Sequence, residues 1–241
     1  MEEETKVLNP LSYKPIGNLL KSLAIPAIIA NLVNALYNVV DQIFIGQGIG
    51  YLGNAATNIA FPITTMCLAI GLTLGIGGAS NFNLELGKGY PEKSKHTAGT
   101  AASTLIIIGI ILCIVVRIFL EPLMIGFGAT DKILEYSMEY TGITSYGIPF
   151  LLFSIGVNPL VRADGNAKYS MIAIVTGAIL NTILDPLFMF VYNLGIAGAA
   201  WATVISQVVS ALLLLIYFPR FKSVKFSLND FIPQLHYLKR I

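Results

Sequence analysis

Six long apolar runs constrain this chain more than anything else in it. They cover about Leu20–Ile45, Asn54–Ser80, Thr97–Phe119, Tyr136–Val157, Tyr169–Tyr192 and Ala197–Phe218. A hydrocarbon core about 30 Å thick is crossed by roughly 20 residues of helix. Backbone groups in lipid must pair internally, so a span is either a helix or a strand of a closed barrel. The runs here are continuous and do not alternate, which predicts helices. The expected fold class is therefore an all-α membrane protein, a bundle of six transmembrane helices. Composition agrees: 55% of the 241 residues are hydrophobic and 12% are charged, about half the charge of a soluble domain. That excludes intrinsic disorder and argues against a soluble enzyme. The net charge of +2 and the scattered basic residues argue against nucleic acid as a partner. The lipid bilayer is the first partner implied.

Lys and Arg sort cleanly between the connections. Lys6, Lys14 and Lys21, then Lys88, Lys93 and Lys95, then Arg162 and Lys168, then Arg220, Lys222, Lys225, Lys239 and Arg240 fall on one side, 13 of 15 in all. Arg117 and Lys132 fall on the other. The positive-inside rule places both termini in the cytoplasm. The acidic segment Glu121–Glu139 is expected to form a longer external connection. The start Met1-Glu2-Glu3-Glu4 lacks the basic lead of a secretory signal, so the first run reads as a retained span.

Cys67 and Cys113 sit inside apolar runs, and His96 and His236 have no ligand spacing, so neither a disulfide framework nor a zinc site is expected. No cofactor is implied. Pro15 to Lys21 and Pro233 to Lys239 share the pattern Pro-x-x-x-x-Leu-Lys. The chain reads as a cytoplasmic tail over 1–15, a six-helix bundle over 16–218, and a linker over 219–241 that begins a missing second lobe. Parallel repeats of this kind occur in transporters. An interfacial C-terminal helix of a complete six-span protein fits the same residues.

Acids inside a membrane are expensive, so each needs a reason. Two fall within the runs, Asp41 and Asp185. Asp41 ends a polar series, Asn31, Asn34, Asn38 and Asp41, at spacings that put all four on one helix face. Such a face points at another helix or a water-filled cavity. Pro26, below it, removes a backbone hydrogen bond and lets the first helix bend. Asn181 and Asp185 share a face of the fifth run, and Pro186 frees a carbonyl beside them. Together these groups can hold a proton, water or a small hard cation such as Na⁺. Thr203, Ser206, Gln207 and Ser210 on the sixth run, and Ser154 and Asn158 on the fourth, add polar stripes. Gly71, Gly75, Gly77 and Gly78 read as close-packing positions. Blander readings remain for the acids: Asp41 as an interfacial residue reaching water, and Asp185-Pro186 as a structural kink.

The ordered set Val40-Asp41-Gln42-Ile43-Phe44-Ile45-Gly46, Arg162-Ala163-Asp164-Gly165-Asn166-Ala167-Lys168, and Asn181-x-x-x-Asp185-Pro186 followed by Leu194-Gly195-Ile196-Ala197-Gly198-Ala199-Ala200 resembles the multidrug and toxic compound extrusion (MATE) family, from about Leu11 onward. The resemblance implies two six-helix lobes around a central cavity, of which this chain is the N-terminal one, in the plasma membrane. It implies export of cationic and amphipathic drugs in exchange for Na⁺ or H⁺. It places the coupling cation at Asp41, Asn181, Asp185 and Thr203, and the bend at Pro26. Asn34, Asn38, Asn158 and Gln207 are the expected cavity-lining or substrate residues. The remaining half of the cavity would come from a C-terminal lobe or from a second copy of the chain. A lipid-linked saccharide flippase of related fold and a non-transporting fragment or subunit are the competing readings. The flippase reading suffers because the spans are expected to offer almost no base for pyrophosphate, only Arg117 near an end. An intramembrane aspartyl protease would need a Gly-x-Gly-Asp context, which Leu184 before Asp185 breaks. No enzyme activity is expected.

Overall fold

The computed structural model describes residues 15–241, so most of the expected tail, including Lys6 and Lys14, lies outside the described residues. Helices α1 (Ile16–Gly48), α2 (Tyr51–Gly87) and α3 (Pro91–Ile118) come first. A short α4 (Leu120–Gly126) leads into α5 (Asp131–Thr144), which continues through a single 3-10 turn into α6 (Ile148–Ala163). Then follow α7 (Ala167–Pro186), a π-helical turn at Leu187–Val191, α8 (Gly195–Tyr217) and a terminal turn α9 (Leu235–Leu238). With α5 and α6 taken as one rod, six helices among the described residues are long and apolar enough to cross a membrane. The expected fold class holds, and no strand occurs among the described residues.

The rods are longer than the apolar runs, and two expectations change. Glu121–Glu139 is not a loop. It folds as α4, a break at 127–130, and the start of α5, where Ile133 and Leu134 donate to the Thr130 carbonyl. This fourth rod is the least apolar of the six, so hydropathy alone cut it short. At its other end α6 runs nearly two turns past Val157, to Ala163. Arg162 therefore belongs to a helix and not to a connection.

Small residues set the helix spacing, as packing in lipid requires. A Cβ on Gly75 would stand 2.5 Å from the carbonyl oxygen of Gly156 and 2.6 Å from its Cα, so α2 and α6 meet backbone to backbone. Gly71 faces Ile155 on α6, and Gly78 faces Ala101 on α3. By contrast, only Pro26, Ala30, Asp41 and Ile45 of the 33-residue α1 are buried.

The turns between α2 and α3 and between α6 and α7 lie at the same end of the bundle as the C-terminal segment. Fully buried Asp164, in the α6–α7 turn, accepts from the Tyr217 hydroxyl at 2.7 Å and from the backbone N–H groups of Lys222 and Ser223, each at 2.9 Å. Asp230 caps the turn at Leu228–Phe231 and meets His96 Nδ1 of α3 at 3.2 Å. Phe218, Phe221, Phe226 and Phe231 pack together over Phe82 and Tyr217. Residues 219–241 are thus bound to the bundle over much of their length. Glu85 in the last turn of α2 pairs with Lys88 at 3.5 Å and Arg240 at 3.8 Å.

Candidate functional site

An open cleft of about 240 Å³ runs between α1, α6, α7 and α8. Its lining carries Asn31, Asn34 and Tyr37 from α1, Ser154, Asn158 and Arg162 from α6, Ser170 and Asn181 from α7, and Thr203, Ser206, Gln207 and Ser210 from α8. The polar stripes expected from sequence do converge on one interior. Ser154 Oγ, Ser206 Oγ and Gln207 Oε1, on residues of this lining, are buried without a hydrogen-bond partner among the described residues.

Two expected residues behave differently. Asn38 is exposed and is absent from the lining, and its amide donates to the Asn34 carbonyl at 2.7 Å. Its place in the row is taken by Tyr37. An i+3 step serves as well as i+4 on a helix face, and the phenol is the residue that turns inward. Asn158 does line the cleft, but its side chain is committed to Ser170.

Beyond Asn181 and Thr203, at one end of the cleft, lie the two acids. Asp41 is 7% exposed and Asp185 is fully buried. Their carboxyl groups are within hydrogen-bonding reach of each other. The Asn181 amide donates to Asp185 Oδ1 at 3.2 Å and reaches the Thr203 hydroxyl at 3.4 Å. Tyr37 and Tyr140 are the phenols beside the group. Among the described residues Asp41 Oδ1, Asp185 Oδ2 and Asn181 Oδ1 have no hydrogen-bond partner, and neither acid forms an ion pair. Three unpaired buried oxygens beside a hydroxyl suit a hard monovalent cation, or a proton shared by the carboxylates. Among the described residues no set of three His, Cys, Asp or Glu side chains converges, so a transition-metal centre has no ligand set.

Local chain geometry holds this arrangement. Pro186 ends α7 one residue past Asp185, and without its N–H the helix widens into the π turn at 187–191. That turn is wedged between α1 and α8. Met189 and Phe190 press on Gly48, and a Cβ on Gly198 would stand 2.8 Å from the Phe188 backbone. Pro26 is buried inside α1, and the helix runs unbroken across it.

Tyr37 and Tyr140 were not singled out by sequence. A phenol on an apolar helix reads as core packing, and the pairing with acids on other helices has no local signal.

The described residues thus form a helical membrane bundle with a polar cleft and an uncompensated acid pair beside it. The chain belongs to the MatE family, whose model matches residues 26–187. It is 28% identical over 210 residues to the multidrug export protein MepA of Staphylococcus haemolyticus, covering 86% of this chain and 45% of that one. It also resembles a solved multidrug resistance MATE family transporter of the MOP superfamily in an outward-facing conformation. There the TM-score is 0.86 at 29% identity, over 100% of this chain and 53% of that one. A MATE structure in complex with MaD3S gives 0.88 at 29% identity, over 99% and 53%. The chain spans about half the length of these relatives.

Proposed function

We propose that this chain is the N-terminal lobe of a secondary transporter that exports cationic or amphipathic drugs across the plasma membrane in exchange for Na⁺ or H⁺. The observation that carries the reading is the Asp41–Asp185 pair: two buried carboxyl groups in reach of each other, without a base, next to a cleft. Two such groups repel when both are ionised, and a proton or a Na⁺ relieves the repulsion. The names of the similar proteins support the cargo class, and the 13 basic residues on one side support cytoplasmic termini.

Asp41, Asn181, Asp185 and Thr203 receive the cation. Antiport requires cation and cargo to favour different conformations. The acids sit on α1 and α7, so neutralising them removes a force between those helices. Pro26 supplies the point at which α1 yields, and inward movement of α1 narrows the cleft and displaces the cargo outward. The second half of the cavity comes from a C-terminal lobe of the same protein or from a second copy of this chain.

The test is efflux of a cationic dye from cells producing the intact transporter with Asp41→Asn or Asp185→Asn. Each change should sharply reduce gradient-driven efflux while dye binding persists. Undiminished, gradient-dependent efflux by both variants would overturn the assignment.

A further inference from the structure

The cleft lining contains one charged side chain among the described residues, and it is a base. Arg162 sits in the last turn of α6, half-buried, at the opposite end of the cleft from the acids. Its guanidinium makes no ion pair or hydrogen bond among the described residues. The acid nearest in sequence, Asp164, is already committed to the Tyr217 hydroxyl and the Lys222 and Ser223 N–H groups. The polar neighbours are committed as well: Asn158 and Ser170 to each other, and the Ser210 hydroxyl to the Ala173 carbonyl.

The acids are too far away to pair with it. Asn158 on α6 faces Ser170 on α7, and Arg162 lies one turn below that level. Asn181 lies three turns above it. At 1.5 Å per residue the base and the acid end are roughly 20 Å apart, far beyond the reach of an ion pair. An Arg fork is the side chain best matched to an oxyanion, because it donates two parallel hydrogen bonds.

We propose that Arg162 is a cargo subsite: it binds the carboxylate of zwitterionic amphiphiles, whose cationic portion lies farther up the cleft among Asn34, Ser154 and Gln207. This rests on the export reading above and adds to its organic cations a favoured class, cations that also carry an acid group. It also corrects the expectation that Arg117 is the sole base the spans offer. Arg117 instead donates to the Gly142 carbonyl at 2.9 Å and stacks on Tyr146 at 4.1 Å, outside the cleft.

The experiment compares rhodamine B, a cation with a free carboxylate, with its ethyl ester, which lacks the charge. Binding to the purified full-length transporter in phosphatidylcholine nanodiscs is read by fluorescence anisotropy. Arg162→Gln should weaken rhodamine B about tenfold and leave the ester within about twofold, since a charge-assisted contact is lost for one dye only. Arg162→Lys should keep most of the preference for rhodamine B. Equal weakening of both dyes, or of neither, would overturn the subsite. So would competition by phosphatidylglycerol that depends on Arg162, because the anion would then be a lipid phosphate. If neither dye binds the wild-type protein, the export reading fails with it. If the ester binds and Arg162 does not discriminate, only the subsite fails.

Discussion

Asn158 and Ser170 exchange two hydrogen bonds across the α6–α7 interface. The amide donates to the Ser170 carbonyl at 3.1 Å, and the Ser170 hydroxyl donates to Asn158 Oδ1 at 2.7 Å. Both residues are buried. Ser170→Ala leaves the Asn158 oxygen without its donor, so a loss of about 0.6 kcal/mol is expected, the average for interhelical hydrogen bonds in membranes. A lowered midpoint of thermal unfolding in detergent checks it, with an unchanged midpoint as the contrary result.

Asp41 and Asp185 form one binding unit, so their substitutions should not add. The double variant Asp41→Asn/Asp185→Asn is expected to lose no more efflux than the worse single variant, as for groups that act together. Efflux rates for the four forms of the intact transporter measure this. Losses that multiply would mean two independent sites.

Gly75 meets the backbone of Gly156, and no flexible side chain is available to give way. Gly75→Ala should cost about 1–3 kcal/mol through overpacking. Gly17→Ala is the control, because nothing lies within 4 Å of the added methyl. The ratio of folded to aggregated protein on size exclusion should fall for the first and not for the second.

Asp164 ties the segment after α8 to the α6–α7 turn. Asp164→Ala removes three hydrogen bonds and leaves two backbone N–H groups seeking partners. Trypsin should then cut after Lys222 and Lys225 several times faster in the folded protein. Unchanged cleavage would show that the aromatic cluster around Phe218 holds the segment without the aspartate.

The six rods were legible because lipid enforces long apolar helices. The acid pair and Asn181 were legible because charge inside such a helix demands compensation. Arg162 was misplaced because the run from Arg162 to Lys168 reads as a polar turn, whereas α6 continues through its first two residues. Asn38 was preferred to Tyr37 because an amide looks more polar than a phenol, although the fold turns the phenol inward. The tie from Asp164 to Tyr217, Lys222 and Ser223 joins residues more than fifty positions apart, and nothing local in the sequence marks it.

The contact between Gly75 and Gly156 divides the walls of the cleft by stiffness. Two backbones in contact cannot approach further, and they separate only by opening a void. α2 and α6 therefore behave as a single fixed post, and Arg162, on α6, is anchored to it. α1 has only four buried residues along its length and no comparable weld. The acid pair thus bridges two helices outside the post, where a change of one charge meets the least mechanical resistance.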